Sequence, residues 1–167
     1  MPNVQQPFGL RLIDTDGKQA RVRRYVKKSG NAIYPGDAVI ATATGDIDVA
    51  TAGAALLGVA MEYRAAASTA DIAVCDDPDA VFEIQSDNAV AAADVFLNSN
   101  ITATAGDSSL LRSKQDLDVA SFATTATLQL KLLGLSQIGD NAYGSYARIK
   151  VKINNHILEG STGSAGV

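Results

Sequence analysis

A strand–turn–strand pattern between Asp71 and Asn88 constrains the fold of this chain more than any other stretch. Ile72 and Val74 alternate with smaller residues, and residues 81–86 resume the two-residue period of a half-buried strand. The acidic segment between them contains Pro78, which cannot donate to a strand ladder, and aspartates, which bond their own backbone in turns. The stretch therefore predicts two short strands joined by an acidic turn in a hairpin-like unit.

Similar short runs recur along the chain at intervals of roughly 8–12 residues, with turn signals between them. We expect strands within residues 8–13, 21–28, 38–42, 47–50, 89–98 (around Val95 to Leu97), 110–114, 124–135 and 147–154. The last two segments alternate strictly. In residues 124–135, Leu130 and Leu132 lie on one face, and Gln129 and Lys131 lie on the other. In residues 147–154, Ile149 and Val151 lie on one face, and Arg148 and Lys150 lie on the other. The pattern predicts an all-β protein, a sandwich or barrel (jelly-roll-like) of many short antiparallel strands.

One stretch leaves helix and strand both open. Residues 52–67 are rich in alanine, which favours helix. Gly53 and Gly58 interrupt that pattern, and no capping box begins it. Leu56, Leu57 and Val59 fit a short buried strand, which is the interpretation we favour.

The length of 167 residues predicts a single domain. Residues 1–7 are polar and contain Pro2 and Pro7, so we expect an extended N-terminal arm. Residues 8–159 would form the β domain. Residues 160–167 consist largely of Gly, Ser and Thr, which predicts a flexible tail.

Composition excludes several classes of function. A net charge of −4 argues against nucleic acid as the main partner. The single cysteine, Cys75, excludes an internal disulfide framework and a cysteine-based zinc site. Neither a signal segment nor an apolar run of ~18 residues is present, so we expect neither secretion nor a membrane partner.

The segment 21–28 is the only basic cluster in the sequence, with five positive charges and no acid. One interpretation is an edge strand that its charges protect against pairing with other edges. The other is a patch that meets an acidic partner surface. The two interpretations are compatible, and the residues concerned are Arg21, Arg23, Arg24, Lys27 and Lys28.

We expect no catalytic residue, cofactor or metal. The only histidine, His156, follows the last strand near the tail, where a turn residue or surface contact is the simpler interpretation. Asp76, Asp77 and Asp79 surround Pro78 and indicate a turn, with an intersubunit or ion contact as the alternative. The nucleotide-binding and zinc motifs that mark many enzymes are missing together, so we expect that the protein is not an enzyme.

Residues 74–85 read Val-Cys-Asp-Asp-Pro-Asp-Ala-Val-Phe-Glu-Ile-Gln, and this segment resembles structural cement (capsid decoration) proteins of tailed phages. Three further segments resemble the same family in the same order. The first is a tyrosine strand and a Ser-Gly turn followed by Gly36-Asp37. The second is Leu57-Gly58-Val59 with Glu62-Tyr63. The third is the final strand, which ends Ile-Asn-Asn-His at residues 153–156.

This resemblance implies a non-enzymatic protein on the outer surface of the phage head, made in the host cytoplasm. Such proteins bridge neighbouring major capsid protein subunits, typically as homotrimers. We expect the arm and the basic strand to touch the capsid, and the sheet of residues 127–153 to face a neighbouring copy. The candidate contact residues are Phe8, Arg21, Arg23, Arg24, Lys27, Lys28, Asp76, Asp77, Asp79 and His156.

Two other functions stay open on the sequence alone. One is another virion β module, such as a tail or fibre component. The other is a small β-barrel enzyme or ligand carrier, which a deep polar pocket around His156 or the acidic turn would favour.

Overall fold

The structure is a computed structural model, and it describes residues 3–15, 17–160 and 162–167. The chain is all-β, with antiparallel sheets in one compact domain, as the sequence predicts. No helix in these ranges is long and apolar enough to cross a membrane. The strands are β1 (Arg11–Asp14), β2 (Val22–Val26), β3 (Ala38–Ala41), β4 (Ile47–Val49), β5 (Gly58–Ala60), β6 (Asp71–Cys75), β7 (Val81–Gln85), β8 (Ala89–Val90), β9 (Asn98–Ile101), β10 (Leu117–Ala123), β11 (Leu130–Leu135), β12 (Gly144–Ser145) and β13 (Arg148–Ile153).

Two larger sheets and one small ribbon organise these strands. The six-stranded sheet has the order β1-β7-β13-β11-β9-β10, and the five-stranded sheet has the order β2-β6-β5-β3-β4. Strands β8 and β12 form the ribbon. Short 3-10 turns occupy Ala92–Asp94 and Ile157–Glu159.

The five-stranded sheet closes into a small barrel. A parallel bridge joins Lys27, just after β2, to Ile47 at the start of β4, and the Lys28 N–H donates to the Ile47 carbonyl over 2.9 Å. This bridge links the two strands at the ends of the strand order. Small and branched aliphatic side chains fill the interior, namely Ile33, Val39, Ile47, Leu57, Ala60, Ile72 and Val74.

A second core lies between the barrel and the six-stranded sheet. Barrel strands contribute Ala38, Val59 and Cys75, and the six-stranded sheet contributes buried residues that include Phe82 and Ile149. Both faces of the barrel strands are therefore buried, because side chains point alternately into the barrel and towards the six-stranded sheet. Full burial of a large side chain of this core, such as Val59, Phe82 or Ile149, stabilises the fold by about 1.5–3 kcal/mol.

The acidic turn does not close a hairpin, so that prediction was wrong. Strand β6 pairs with β2 and β5 in the barrel, whereas β7 pairs with β1 and β13 in the other sheet. Residues 76–80 thus carry the chain from one sheet to the other. Alternation specifies which face of a strand is buried, but it does not specify the strand's neighbour.

The ambiguous stretch 52–67 forms strand rather than helix, with β5 at Gly58–Ala60. The strand predicted around Val95 is wrong, since a 3-10 turn precedes Val95 and Phe96 adopts a positive φ of 73°. Strand β9 begins at Asn98, the last residue of that predicted segment.

Two other predicted strands differ from the structure: one is a turn, and the other begins later than predicted. Residues 108–111 form a turn in which the Asp107 carboxylate accepts the Ser109 and Leu110 N–H groups over 2.8 and 3.0 Å. Strand β11 begins only at Leu130, because the preceding residues turn and Gln129 points inward. The Gln129 amide accepts from the Ile101 N–H and donates to two carbonyls near residue 52, which corrects its predicted place on the outer face.

Candidate interaction site

Strand β2 stands at one end of the strand order, and the bridge to β4 begins only at Lys27, so Val22–Val26 keeps an open edge, which confirms the edge-strand interpretation. The Asp76 N–H donates to the Arg21 carbonyl over 3.2 Å, so Arg21 faces β6 through its backbone. Because backbone groups alternate along an antiparallel strand, those of Val22 and Arg24 point away from β6. The side chains of Arg23 and Arg24 are each 53% exposed, and Val26 is 51% exposed.

Lys27 differs from the rest of the basic segment because it is fully buried. It follows Arg23 and Tyr25 in the strand alternation and points into the end of the barrel. Its ammonium donates to the carbonyls of Lys28, Ala66 and Ser68 over 2.7, 3.1 and 3.2 Å. Burial lowers the pKa of Lys27. This corrects the expectation that Lys27 forms part of a contact surface.

Asp76 is also fully buried, and it binds the basic strand of its own chain. Its Oδ1 lies 2.9 Å from Nε of Arg21, and its Oδ2 accepts the Tyr25 hydroxyl over 2.5 Å. Nη1 of Arg23 lies 3.6 Å from Oδ2. Burial, followed by the bond to Asp76, raises the pKa of Tyr25. Asp76 is therefore internal rather than a contact residue.

Asp77 and Asp79 stay nearer the surface of the same turn. The Asp77 carboxylate accepts the backbone N–H groups of Arg21 and Asp79 over 3.1 and 3.0 Å, and the bond from Arg21 holds its pKa below the ordinary range. Asp79 is 59% exposed and lies 3.1 Å from the ammonium of Lys152. These bonds fit the turn interpretation of the acidic segment.

His156 is 1% exposed, which corrects its expected place as a surface contact. Its backbone bridges to Leu56, and its Nδ1 accepts the Leu158 N–H over 3.2 Å. Burial lowers the pKa of its imidazole. The side chain thus caps the 3-10 turn that follows the last strand.

Burial also shifts the pKa values of two further titratable side chains in the interior, Cys75 and Asp116. Burial raises the pKa of the Cys75 thiol. Burial, with a smaller effect of Asp87, raises the pKa of Asp116 to about 6. Within the described ranges, no group of three or more His, Cys, Asp or Glu residues could hold a metal ion.

Phe8 packs between two guanidinium groups. Its ring centroid lies 5.3 Å from Cζ of Arg11 and 5.5 Å from Cζ of Arg148. Both arginines also reach Glu83, a buried carboxylate, over 2.7 and 3.9 Å. Cation–π attraction and the shared carboxylate hold Phe8 on the outer face of the six-stranded sheet.

The predicted arm lies along the same face through polar contacts. The buried amide of Gln85 accepts the Gln6 N–H over 2.6 Å and donates to the Val4 carbonyl over 2.9 Å. Nδ2 of Asn3 donates to the Ala142 carbonyl over 2.9 Å. Met1 and Pro2, also part of the predicted arm, lie outside the described residues.

The predicted tail, of which Ser161 is not among the described residues, also contacts the domain. Nδ2 of Asn98 donates to the Ser164 carbonyl, and the Lys131 ammonium donates to the Ala165 carbonyl, each over 2.8 Å. The Gly166 N–H donates to the Thr124 carbonyl over 3.0 Å. The two terminal segments therefore lie at opposite ends of the six-stranded sheet.

A second basic surface covers the outer face of the six-stranded sheet, and the sequence analysis missed it as a unit. Register places Lys131 directly opposite Lys152, and Lys150 opposite Glu83. The sequence shows the alternating cations of residues 148–152. Only the strand order shows that Arg11 and Lys131, from distant segments, lie on the same face as these cations. The surface, which we call the basic face, consists of Arg11, Lys131, Arg148, Lys150 and Lys152.

Comparisons with protein-family models, with curated proteins and with solved structures find no match to this chain. The structure itself defines an all-β protein in which a small barrel packs on an antiparallel sheet. Its two basic surfaces, the β2 edge and the basic face, are the features best suited to contact another macromolecule.

Proposed function

We propose that this chain is a capsid decoration (cement) protein of a tailed phage. It would bind the outside of the head as a homotrimer and bridge neighbouring major capsid protein subunits. The observation that carries the proposal is the resemblance of four ordered segments, centred on residues 74–85, to that family. The exposed basic strand supports it, because an acidic chain that concentrates cations at one open edge suits an acidic partner surface.

Two separate surfaces suit a bridging role. The β2 edge belongs to the barrel, whereas the basic face belongs to the other sheet. A molecule that contacts two neighbours gains affinity from effective concentration, because the second contact forms within an already bound complex. We assign the β2 edge to the shell and the basic face to a neighbouring subunit or copy.

Binding of this kind stabilises a shell by mass action. DNA packaging loads the shell from inside, and a clamp across a subunit boundary adds contacts that separated subunits lack. The protein would therefore raise the free energy needed to open the expanded shell. No covalent chemistry is required of any residue.

Co-sedimentation with mature and with unexpanded shells of the encoding phage tests the proposal. We expect saturable binding to mature shells, with copies in multiples of three at each capsomer junction. Binding to neither shell would contradict the proposal and bring the tail, fibre and carrier alternatives forward.

A charge-reversal pair tests the assignment of the β2 edge to the shell. Arg23→Glu with Arg24→Glu places acids on the exposed edge, and we expect weaker binding to mature shells with a reduced dependence on salt. Arg24→Glu alone is then compared with Lys18→Glu, which makes the same change in charge at an exposed residue outside β2. Equal binding of both variants would contradict the assignment.

Deleting residues 1–7 tests the role of the arm. If the arm contacts the capsid, the shortened protein binds fewer copies at saturation. If the shortened protein still fills all sites on the shell, the arm contacts only its own domain, through Gln85, and does not contribute to binding.

A further inference from the structure

The last residues of the chain lie in a seat that distant segments form at one end of the six-stranded sheet. Nδ2 of Asn98 donates to the Ser164 carbonyl over 2.8 Å. The Lys131 ammonium donates to the Ala165 carbonyl, also over 2.8 Å. Oδ1 of Asn154 accepts the Ser164 N–H over 3.0 Å. Three side chains of the domain therefore bind the main chain of this segment.

Backbone bonds continue this arrangement to the end of the chain. The Gly166 N–H donates to the Thr124 carbonyl over 3.0 Å, and the Val167 N–H donates to the Phe96 carbonyl over 3.3 Å. Phe96 adopts a positive φ of 73°, which is uncommon for a bulky residue and persists only where surrounding contacts over-determine the backbone. The groups that hold residues 163–167, which we call the tail seat, belong to Phe96, Asn98, Thr124, Lys131 and Asn154.

The tail seat has room only for glycine at two positions of the segment. A Cβ atom added to Gly163 would overlap the carbonyl oxygen of Asn154. One added to Gly166 would lie 2.9 Å from the carbonyl oxygen of Phe96. Both neighbours are backbone atoms in a packed domain, so neither can move aside as the end of a flexible side chain can. The seat therefore selects a segment with two glycines three residues apart, as in Gly-Ser-Ala-Gly.

The tail seat also contains an amide that needs an occupant. With the segment in place Asn98 is fully buried, and its Nδ2 donates to the Thr125 carbonyl over 3.1 Å as well as to Ser164. Its Oδ1 accepts no hydrogen bond from the described part of the chain. Loss of the segment would take a partner from Nδ2 as well, and an unpaired polar group in a protein interior costs free energy. A vacant seat therefore favours any segment that restores this bond.

The contacts in the tail seat depend on the sequence of the segment and not on the chain that supplies it. Val167 is 89% exposed, so its side chain does not tie the segment to its own domain. Gly160, at the start of the tail, has a φ of 110°, and a Cβ atom there would meet nothing within 4 Å. A glycine in such open space can take several backbone directions. Exchange of this identical element between copies would preserve every contact in the seat.

We propose that the tail seat is a peptide-binding site that takes residues 163–167 of a second copy of this chain in place of its own. Binding within one chain and binding between chains make the same hydrogen bonds, so the effective concentration of neighbouring copies decides between them. Copies held side by side in an assembly exchange their tails, and each exchanged tail links one copy to the next.

A peptide titration tests the site directly. The full-length variant Gly163→Ala with Gly166→Ala should leave its own seat vacant, because its tail no longer fits. A peptide with the sequence of residues 162–167 is added to this variant, isotope-labelled, and the Asn98 side-chain amide is followed by NMR, which detects weak binding. We expect saturable binding, at least about tenfold weaker for a peptide with Gly166→Ala and unchanged for one with Ala165→Ser, at an exposed position.

Two results of this titration would overturn the proposal. One is the absence of saturable binding of the unchanged peptide, and the other is equal binding of the Gly166→Ala peptide. The wild-type chain, whose seat is filled, should bind the unchanged peptide at least about tenfold more weakly than the variant does. Unfolding curves check that the variant remains folded, and Gly166→Ala alone takes its place if the double variant does not fold.

A mixture of two full-length variants tests whether a second copy can supply the segment. Lys131→Met with Asn154→Ala keeps the wild-type tail but removes two side chains of its own seat, so this tail is free to bind elsewhere. We expect this tail donor to be captured by an affinity-tagged Gly163→Ala, Gly166→Ala variant, and a donor that also carries Gly166→Ala not to be captured.

Equal capture of the two donors, or capture of neither, would overturn exchange between copies even if the peptide binds. Both experiments use purified chains without shells, so their outcome is independent of the proposed function.

Discussion

The guanidinium of Arg21 and the carboxylate of Asp76 form a partly buried contact at the point where the chain leaves the barrel. Nε of Arg21 lies 2.9 Å from Oδ1 of Asp76, and Nη2 donates to the Asp76 backbone carbonyl over 2.6 Å. Because Asp76 is fully buried while the Arg21 side chain is 39% exposed, the carboxylate depends on this contact more than the guanidinium does. The contact joins the start of the basic strand to the turn that crosses between the sheets.

Asp76→Asn tests the contribution of this carboxylate to stability. The change keeps the size of the side chain but removes its charge, so we expect the free energy of unfolding to fall by about 2 kcal/mol. Chemical denaturation measures it. Asp79→Asn is the control, since its exposed pair with Lys152 should contribute under about 0.5 kcal/mol. Equal effects of the two variants would contradict the internal role of Asp76.

Asp116→Asn tests a buried carboxyl group that carries a pH dependence. The pKa of Asp116 is raised to about 6, chiefly by burial and then by Asp87. The native state therefore holds this proton more tightly than the unfolded state, and stability falls as the pH rises from about 4 to about 6. At neutral pH, the free energy of unfolding is therefore lower than at about pH 4 by on the order of 3 kcal/mol.

Unfolding free energies of the wild type and Asp116→Asn at several pH values check this prediction. The stability of the variant relative to the wild type should increase between about pH 4 and pH 6 and then level off. A difference that does not change with pH would show that Asp116 is not the group responsible.

His156→Asn should show a pH dependence of the opposite sign. Burial lowers the pKa of His156, so the unfolded state binds the proton more tightly and wild-type stability falls as the pH drops below about 6.5. Asn can still accept the Leu158 N–H as a helix cap. The smaller side chain should cost about 1–2 kcal/mol at neutral pH, and that cost should shrink at lower pH. Thermal unfolding at pH 5.5 and 7.5 measures the change, and a cost that grows on acidification would contradict it.

Lys27→Met tests the lysine that closes the end of the barrel. Met retains much of the apolar stem but leaves the carbonyls of Lys28, Ala66 and Ser68 without this donor. We expect a loss of about 2 kcal/mol in the free energy of unfolding. Lys28→Met, at a neighbouring residue that is 51% exposed, should cost under about 0.5 kcal/mol. An unchanged free energy of unfolding in Lys27→Met would contradict this prediction and would indicate that water replaces the ammonium as the donor.

The sequence by itself determined the local character of the chain. Alternation in β6, β7 and β13 identified strands and the buried faces of Ile72, Phe82 and Ile149, because side chains point to opposite faces of a strand whatever its neighbours are. The charge of residues 21–28 likewise indicated an edge strand, since unpaired edges favour cations.

Only the tertiary structure decided which strands pair and which polar groups are internal. Strands β6 and β7 are adjacent in sequence but belong to different sheets, and closure of the barrel surrounds Lys27 with carbonyl groups. The basic face also exists only because β1, β11 and β13 share one sheet. These features depend on contacts between distant segments, and no local pattern of alternation or charge specifies such contacts.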